Sequence, residues 1–375
     1  MRVAVVTGTR AEYGLLAPLM HRIESSEILD LQLVVTGAHL LEEFGFTVNE
    51  IRADGFSIDR TVPEITSAAT GEEVARQVGA GVIAFTETLI DLAPTVVLLL
   101  GDRYELLAAA TAAFFLSTPI VHLHGGEVTQ GAFDDAIRHT ISQFARIHAV
   151  AAPEYAARLI HAGAHPDSVH VVGGLGVDSV HSRRKLTKAE LEAELGISLT
   201  SPVLLVTYHP VTSAQHDTEA EIQSLVSALR SFPEAIVVFT LPNADPEHEV
   251  IADALEEAIK GQENWHLFPS LGAQKYLSIM DHASAVVGNS SSGLLEAPSL
   301  GVPTVNIGPR QDGRLRAQSV ISCETQQADI EAAITQALSM GFVGSLAGME
   351  SPYGKPGAAD RVLALLESTS SDTLA

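Results

Sequence analysis

The chain has 375 residues, 46% hydrophobic and 18% charged, with Asp+Glu 46 against Lys+Arg 22 and a formal net charge of -24. That length exceeds one domain of roughly 100–150 residues, so two domains with separate cores are expected. The acidic excess repels a nucleic-acid backbone and an anionic membrane surface, which leaves any phosphate contact to a few local basic residues and makes neither a partner.

The amino terminus, MRVAVVTGTRAEYG, has an apolar run of four residues before a glycine-bearing turn and reads as neither signal peptide nor membrane span. Longer apolar stretches such as Val96 to Leu100 and Ala108 to Leu116 fall far short of the ~20 residues a bilayer requires. The one cysteine, Cys323, excludes an intrachain disulfide framework and cysteine-based zinc sites. It fits a reducing compartment, and the cytoplasm is the expected location.

Short β-branched runs then alternate with amphipathic segments. Strands are predicted at Val3–Gly8, Leu31–Gly37, Thr95–Asp102, Pro119–Gly126, Ile147–Ala152 and Val169–Gly174, with helices near 15–26, 72–93, 104–117, 136–145 and 153–163. Such alternation predicts a parallel sheet wrapped by helices, its strands buried on both faces. Residues 175–200 change character, from Gly173, Gly174 and Gly176 to the charged HSRRKLTKAELEAELG and Ser201-Pro202, and read as the domain connection. A second series follows, with strands near Val203–Tyr208, Ala235–Thr240, Trp265–Pro269, Ser284–Gly288, Pro303–Ile307 and Ser319–Cys323. Ile222, Leu225, Val226 and Leu229 give the intervening helix one apolar face. The last segment, PGAADRVLALLESTSSDTLA, predicts one more helix and a polar tail that frays. The fold class is thus α/β, with two doubly wound domains of similar size.

In open parallel sheets ligands sit beyond the carboxyl ends of the strands, and the chemistry-bearing residues cluster there. The first strand runs into Thr7-Gly8-Thr9-Arg10-Ala11-Glu12-Tyr13-Gly14, whose amides and Arg10 suit an anion. The turn lacks the dinucleotide fingerprint and the P-loop lysine, and it equally suits a plain strand-to-helix turn with a solvated arginine. The third strand ends in Gly101-Asp102-Arg103-Tyr104-Glu105, where Asp102 is also a good N-cap. The fourth ends in His122-Leu123-His124-Gly125-Gly126-Glu127. Alternation puts His122 and His124 on one face, but no third ligand accompanies them and no metal is expected. The two glycines place Glu127 beyond the sheet edge. Asp134 and Asp135 form i, i+4 pairs with Arg138 and His139 at a helix start. One is expected to serve only that pairing. The other joins Asp102 and Glu127 around one pocket, where crowded like charges set acid and base roles.

In the second series His209 follows a strand within Thr207-Tyr208-His209-Pro210. Further on, Gly288-Asn289-Ser290-Ser291-Ser292-Gly293-Leu294-Leu295-Glu296 brings three serines into a helix whose N–H groups and dipole favour a diphosphate, and Glu296 suits a ribose diol. The same serines suit a simple N-cap. Arg310, with Arg314 and Arg316 nearby, supplies cations after the next strand.

Taken together, TGTRAEYG, GDRYE, HGGE with the downstream FDDAIRH, YHP, GNSSSGLLE and NIGPRQDGR, in order and followed by SPYGKPGAADRV at 351–362, resemble the hydrolysing UDP-N-acetylglucosamine 2-epimerases. The non-hydrolysing branch differs: it has a proline after the first-turn arginine, a glutamate-alanine-glycine where this chain has Gly126-Glu127, and basic residues after the histidine of the YHP position. The resemblance implies a GT-B-like architecture of two Rossmann-like domains, 1–178 and 179–355, with the nucleotide sugar in the cleft between them and a C-terminal helix at about 356–368 packing back on the first. It also implies a reaction. UDP is eliminated across C1 and C2 to give a 2-acetamidoglucal, and water then adds to release the 2-epimer, N-acetylmannosamine in the usual case, for sialic-acid-type sugar biosynthesis. No cofactor and no metal are implied, and a homo-oligomer, dimer or tetramer, is usual for soluble enzymes of this kind.

Carried over residue by residue, the resemblance assigns Asp102, Glu127 and Asp134 to proton transfer and charge stabilisation on the sugar, with Asp135 as a spare candidate. His209, a further catalytic candidate, would hold the diphosphate with Ser290, Ser291 and Arg310. Arg10 contributes from the first domain, Arg103 stands beside the sugar, and Glu296 takes the ribose hydroxyls. His266 and Phe268 fall where the pattern places the uracil, and Asn243 near the sugar. UDP-N-acetylglucosamine is the expected substrate. The alternative is the UDP-linked 2,4-diacetamido-2,4,6-trideoxy sugar of the legionaminic acid route, and the rivals are a glycosyltransferase of the same architecture and a non-catalytic nucleotide-sugar-binding protein.

Overall fold

The computed structural model describes residues 1–68, 70–128, 134–200, 202–211, 216–242 and 246–369. The chain forms two compact units. One comprises Met1–Glu127, residues 134–182 and the chain from Tyr353 onward, and the other contains Arg183–Pro352.

The first unit is built on seven parallel strands: β1 (Arg2–Thr7), β2 (Asp30–Thr36), β3 (Arg60–Val62), β4 (Val96–Leu100), β5 (Ile120–Leu123), β6 (Ile147–Val150) and β7 (Val169–Val171), in the order β3-β2-β1-β4-β5-β6-β7. Their continuous apolar runs reflect burial on two faces. Val3 and Val5 of β1 and Leu98 and Leu100 of β4 point into one core, whereas Ala4, Val6, Val97 and Leu99 point into the other. Each such side chain contributes about 1.5–3 kcal/mol when fully buried. On the second face the alanines of helix Tyr104–Phe115 allow close approach of helix Gly71–Leu92. A Cβ on Gly81 would stand 3.0 Å from the Ala108 Cβ and only 2.7 Å from Ile65.

The second unit repeats the plan with β8 (Val203–Thr207), β9 (Ile236–Thr240), β10 (Trp265–Phe268), β11 (Ala285–Gly288), β12 (Thr304–Ile307) and β13 (Val320–Cys323), all parallel, in the order β10-β9-β8-β11-β12-β13. Strand order reverses between β1 and β4 in the first sheet and between β8 and β11 in the second. At such a reversal the connections leave to opposite sides and open a crevice at the carboxyl edge. The motifs after β1, β4, β8 and β11 therefore flank the two crevices.

Several elements differ from the sequence expectation. Strand β3 and the helix Val48–Ala53 were not anticipated, and the first helix starts at Arg10, where Thr9 caps it by accepting from the Glu12 amide. Residues 175–182, expected within a connection, are a helix whose Leu175, Val177, Asp178 and Val180 are buried in the first unit. Asp178 reaches from it to accept from the Gly357 and Ala359 amides, both at 2.6 Å, and so caps the helix Ala358–Ser368 from outside. That final helix sinks Ala358, Ala359, Val362 and Leu366 into the core shared with Leu16 and Leu19 of the first helix. The tail expected to fray, beyond residue 369, lies outside the described residues. Among the described residues no helix is long and apolar enough to cross a membrane.

Candidate active site

In the first unit Arg138 organises the carboxylates. The helix Asp134–Phe144 starts with Asp134, and one turn later Arg138 is buried to 1% exposure. Its guanidinium pairs with Asp102 beyond β4, donates to the His124 carbonyl at 3.0 Å and stands 3.8 Å from Glu127. One cation thus ties the ends of β4 and β5 to the helix that carries Asp134. Asp102 is committed to this pair and does not cap the next helix; Arg103 occupies the cap position and makes no side-chain cap bond there.

Glu127 is fully buried, which without partners would be prohibitive for a carboxylate. Besides Arg138 it has His124, whose Nδ1 lies 2.8 Å from Oε1. The other ring nitrogen of His124 accepts from the Leu175 amide at 3.4 Å, so the proton sits on Nδ1 and is donated to Glu127. His124 lies past the end of β5 with φ +61°, which breaks the alternation that placed it on one face with His122. His122 instead bonds the Gly101 carbonyl at 2.8 Å and Ser142 at 3.0 Å, and burial pushes it down to about 3. Among the described residues no three His, Cys, Asp or Glu side chains gather as a metal ion would require. Gly126 is obligatory for the path to Glu127, because a Cβ there would stand 2.5 Å from the Tyr155 carbonyl.

Asp135 pairs with His139 at 3.6 Å on a partly exposed face, away from the buried network. Arg103 donates to Glu105 Oε1 at 3.3 Å and lies over the Tyr104 ring. Arg10 is the first residue of its helix, half-buried at the carboxyl end of β1.

In the second unit the organising residue is Asn289. Gly288, at φ +133°, lets the backbone pass so close to β8 that a Cβ would stand 2.0 Å from the Thr207 carbonyl. Asn289 is then clamped to His209, accepting from its amide at 2.7 Å and donating to its carbonyl at 2.8 Å. The Asn289 carbonyl in turn accepts from Gln311 at 2.8 Å and Arg310 at 3.3 Å. His209 and Arg310 are thereby held beside the serine turn. The expected helix there is a single turn, Ser292–Leu295, followed by the 3-10 turn Ala297–Leu300. Any anion affinity therefore rests on local amides and hydroxyls more than on a long helix dipole. Ser292 donates to Ser290 at 3.1 Å and lies 2.6 Å from the Tyr276 hydroxyl, and Glu296 closes the short helix.

His266 and Phe268 lie on the edge strand β10, and both are half-buried. Burial lowers the His266 pKa. Asn243 lies outside the described residues. From the sequence Arg138 reads only as the i, i+4 partner of Asp134, and His124, Asn289 and Gln311 receive no role, although all four bind across strands or loops. Their signal was position alone, inside motifs at strand ends.

The model of the family described as UDP-N-acetylglucosamine 2-epimerase matches residues 21–367. A Campylobacter jejuni protein named GDP/UDP-N,N'-diacetylbacillosamine 2-epimerase (hydrolyzing) is 39% identical over 331 residues, 88% of this chain and 85% of that protein. The UDP-N,N'-diacetylbacillosamine 2-epimerase (hydrolyzing) of Legionella pneumophila is 35% identical over 338 residues, covering 90% and 89%. Among solved structures, the Neisseria meningitidis UDP-GlcNAc 2-epimerase bound to UDP-GlcNAc superposes with a TM-score of 0.85 at 21% identity, covering 98% of this chain and 100% of that one, a likeness of fold. With a GT-B-like pair of parallel sheets and a family match over most of its length, the chain belongs to the UDP-N-acetylglucosamine 2-epimerase family, among its hydrolysing members.

Proposed function

We propose that the protein hydrolyses a UDP-linked 2,4-diacetamido-2,4,6-trideoxy hexose with inversion at C2, releasing UDP and the free 2-epimer. The network of half-buried Asp102 with buried Arg138 and Glu127 supports the chemistry. The C2 proton of a hexose is scarcely acidic, so its removal needs a positioned base while the C1–O bond to UDP breaks. A proton leaves C2 and UDP leaves C1, giving the glycal; water then returns a proton to C2 from the opposite face and hydroxyl to C1. In this reading Asp102, Glu127 and Asp134 carry proton transfer and charge stabilisation, with Arg138 and His124 holding the first two in place.

The leaving diphosphate falls to His209, Ser290, Ser291 and Arg310, with Arg10 as a further cation, and Arg103 stands beside the sugar. Donors aimed at developing charge are the largest single source of rate in many enzymes. Glu296 takes the ribose, while His266, Phe268 and Asn243 are the weaker candidates for uracil and sugar. The first unit, to Ser182, carries Asp102, Glu127 and Asp134 with Arg10 and Arg103, and Arg183–Pro352 carries His209, Ser290, Ser291, Glu296 and Arg310.

The choice of sugar rests on the names of the Campylobacter and Legionella relatives, both of which are called N,N'-diacetylbacillosamine 2-epimerases. Those names favour the diacetamido substrate over UDP-N-acetylglucosamine, the substrate expected from the motifs. The test is proton NMR in deuterated water with each nucleotide sugar offered separately. Release of UDP and a 2-epimer deuterated at C2 from the diacetamido compound, at a kcat/KM well above that for UDP-N-acetylglucosamine, is the expected result. The reverse preference would restore the simpler sugar, and UDP release without deuterium at C2 would refute epimerisation.

A further inference from the structure

Helix Pro153–His161 has no role in the site described so far, yet it forms the wall against which Glu127 is placed. Pro153 opens the helix, and Tyr155, Ala156 and Leu159 are its buried residues. Gly126 lies directly on that face. At φ +75°, the point where its Cβ would stand is 2.5 Å from the Tyr155 carbonyl and 3.0 Å from Leu159. Gly125 is confined from the other side, with a Cβ 3.0 Å from both His122 Nδ1 and Ser142 Oγ. His124 and Gly126 both take left-handed φ, and the stretch from His124 to Glu127 belongs to neither strand nor helix. Without a repeating ladder, the partners of its carbonyls decide its shape. The Gly126 carbonyl accepts from Nη1 of half-buried Arg158. A peptide unit is planar, so fixing the Gly126 oxygen fixes the plane that contains the nitrogen and Cα of Glu127.

Arg158 is itself held. It follows Tyr155 by three residues, and its guanidinium carbon lies 5.7 Å from the Tyr155 ring centroid, over the ring. The Tyr155 hydroxyl is 3.2 Å from that of Tyr353, and both side chains are fully buried. The Tyr353 carbonyl accepts from the Gly174 amide at 2.9 Å, at the point where the chain returns to the first unit. We infer that Arg158 is a positioning residue for Glu127, and that the returning segment at Tyr353 holds it to that task through Tyr155. Glu127 is then set from two ends. His124 and Arg138 face its carboxylate oxygens, and Arg158 holds the peptide that carries it. The kinetic consequence rests on the proposed proton transfer by Glu127, for which a misplacement on the order of 1 Å is costly.

Two substitutions in the full chain separate the parts of this arrangement: Arg158→Ala removes the donor, and Arg158→Lys keeps a charge without the fork. In Arg158→Ala kcat on the diacetamido nucleotide sugar is expected to fall roughly 100-fold. KM should stay within about twofold, and UDP should still bind at the wild-type stoichiometry. Methylguanidinium below denaturing concentration should restore part of the loss in Arg158→Ala and none of it in Glu127→Gln. Tyr353→Phe removes only a hydroxyl and should lower kcat several-fold with the same unchanged KM. A readout independent of turnover is the Nδ1 proton that His124 donates to Glu127, followed by NMR with isotope-labelled histidine and assigned by its absence from His124→Gln. It should move upfield in Arg158→Ala, and by less in Tyr353→Phe, as the carboxylate draws away. An unmoved proton in folded Arg158→Ala overturns the positioning role, and so does a moved proton with wild-type kcat. A fall in kcat accompanied by lost UDP stoichiometry, without rescue, marks a general loss of structure and overturns it too. If Arg158→Ala does not fold, the same proton and kcat in Arg158→Lys and Tyr353→Phe decide by the same criteria. Absence of turnover on any nucleotide sugar by the wild type would count against the proposed function, and the proton shift would still decide whether Arg158 sets Glu127.

Discussion

His209 and Asn289 hold each other by two opposed hydrogen bonds between one side chain and one peptide unit, a clamp across the carboxyl ends of β8 and β11. A carboxamide can accept from the amide and donate to the carbonyl at once, whereas an isosteric carboxylate only accepts. Asn289→Asp is therefore expected to destabilise the protein by about 1–3 kcal/mol in urea unfolding and to weaken UDP binding in calorimetry. Wild-type midpoint and affinity would show that the clamp is dispensable.

Arg138→Lys keeps the charge and removes the fork that spans Asp102, the His124 carbonyl and Glu127. A loss of about 100-fold in kcat, with UDP affinity unaltered, is expected from steady-state kinetics and UDP titration. Wild-type kcat in this variant would mean that charge alone suffices.

Glu127→Gln retains an acceptor for His124 Nδ1 but cannot take up a proton, and kcat is expected to fall roughly 10²–10⁴-fold with little change in stability. Asp135→Asn provides the contrast. Its pair with His139 is solvent-screened, so stability should move by no more than about 0.5 kcal/mol and activity hardly at all. Comparable losses in the two variants would contradict the separation of Asp135 and Glu127 into different roles.

Stability should be greatest near pH 6.5. His39 and His122 are each pushed down to about 3 by burial, against 6.5 when free. Their contribution is fully present above 6.5 and is lost as pH falls towards 3, by about 1.4 kcal/mol per pH unit for each. Glu12, raised to about 8, has the opposite sign: its contribution is present below 4.5 and is lost as pH rises through 8. Urea midpoints should decline on both sides, and Glu12→Gln should flatten the alkaline side while steepening the fall from pH 6.5 to 4.5. A wild-type midpoint still climbing between pH 6.5 and 8 would contradict this balance.

Gly288→Ala tests the closest approach in the second unit. At φ +133°, with the Thr207 carbonyl 2.0 Å from the new Cβ, no rotamer relieves the contact. A loss above about 3 kcal/mol, or failure to fold, is expected.

Much of the fold was legible because strands buried on both faces read as unbroken apolar runs; β1, β4 and β8 need no alternation to be seen. Strand β3 escaped because Arg60-Thr61-Val62 is too short to carry a period and two of its side chains are exposed. The helix at 175–182 escaped because all of Leu175 to Val180 is buried, leaving no polar face to mark a helical repeat. At the site, residue types at strand ends were legible, whereas partnerships were not. Arg138 reads locally as the i, i+4 partner of Asp134, yet it reaches 36 residues back to Asp102, and the bond that clamps Asn289 to His209 spans 80 residues. Only folding brings such groups together.

The Asp178 cap on the last helix has a consequence for the order in which the chain can be completed. Leu16, Leu19 and Leu175 share a core with Val362 and Leu366, so the first unit to leave a ribosome cannot close its own interior until the second has been synthesised. Arg183–Pro352 is contiguous and does not depend on a later segment in this way. During synthesis the second unit can finish while the first still waits for its closing helix, and a chain stopped short of that helix would expose the apolar face of Arg10–Glu24 to aggregation.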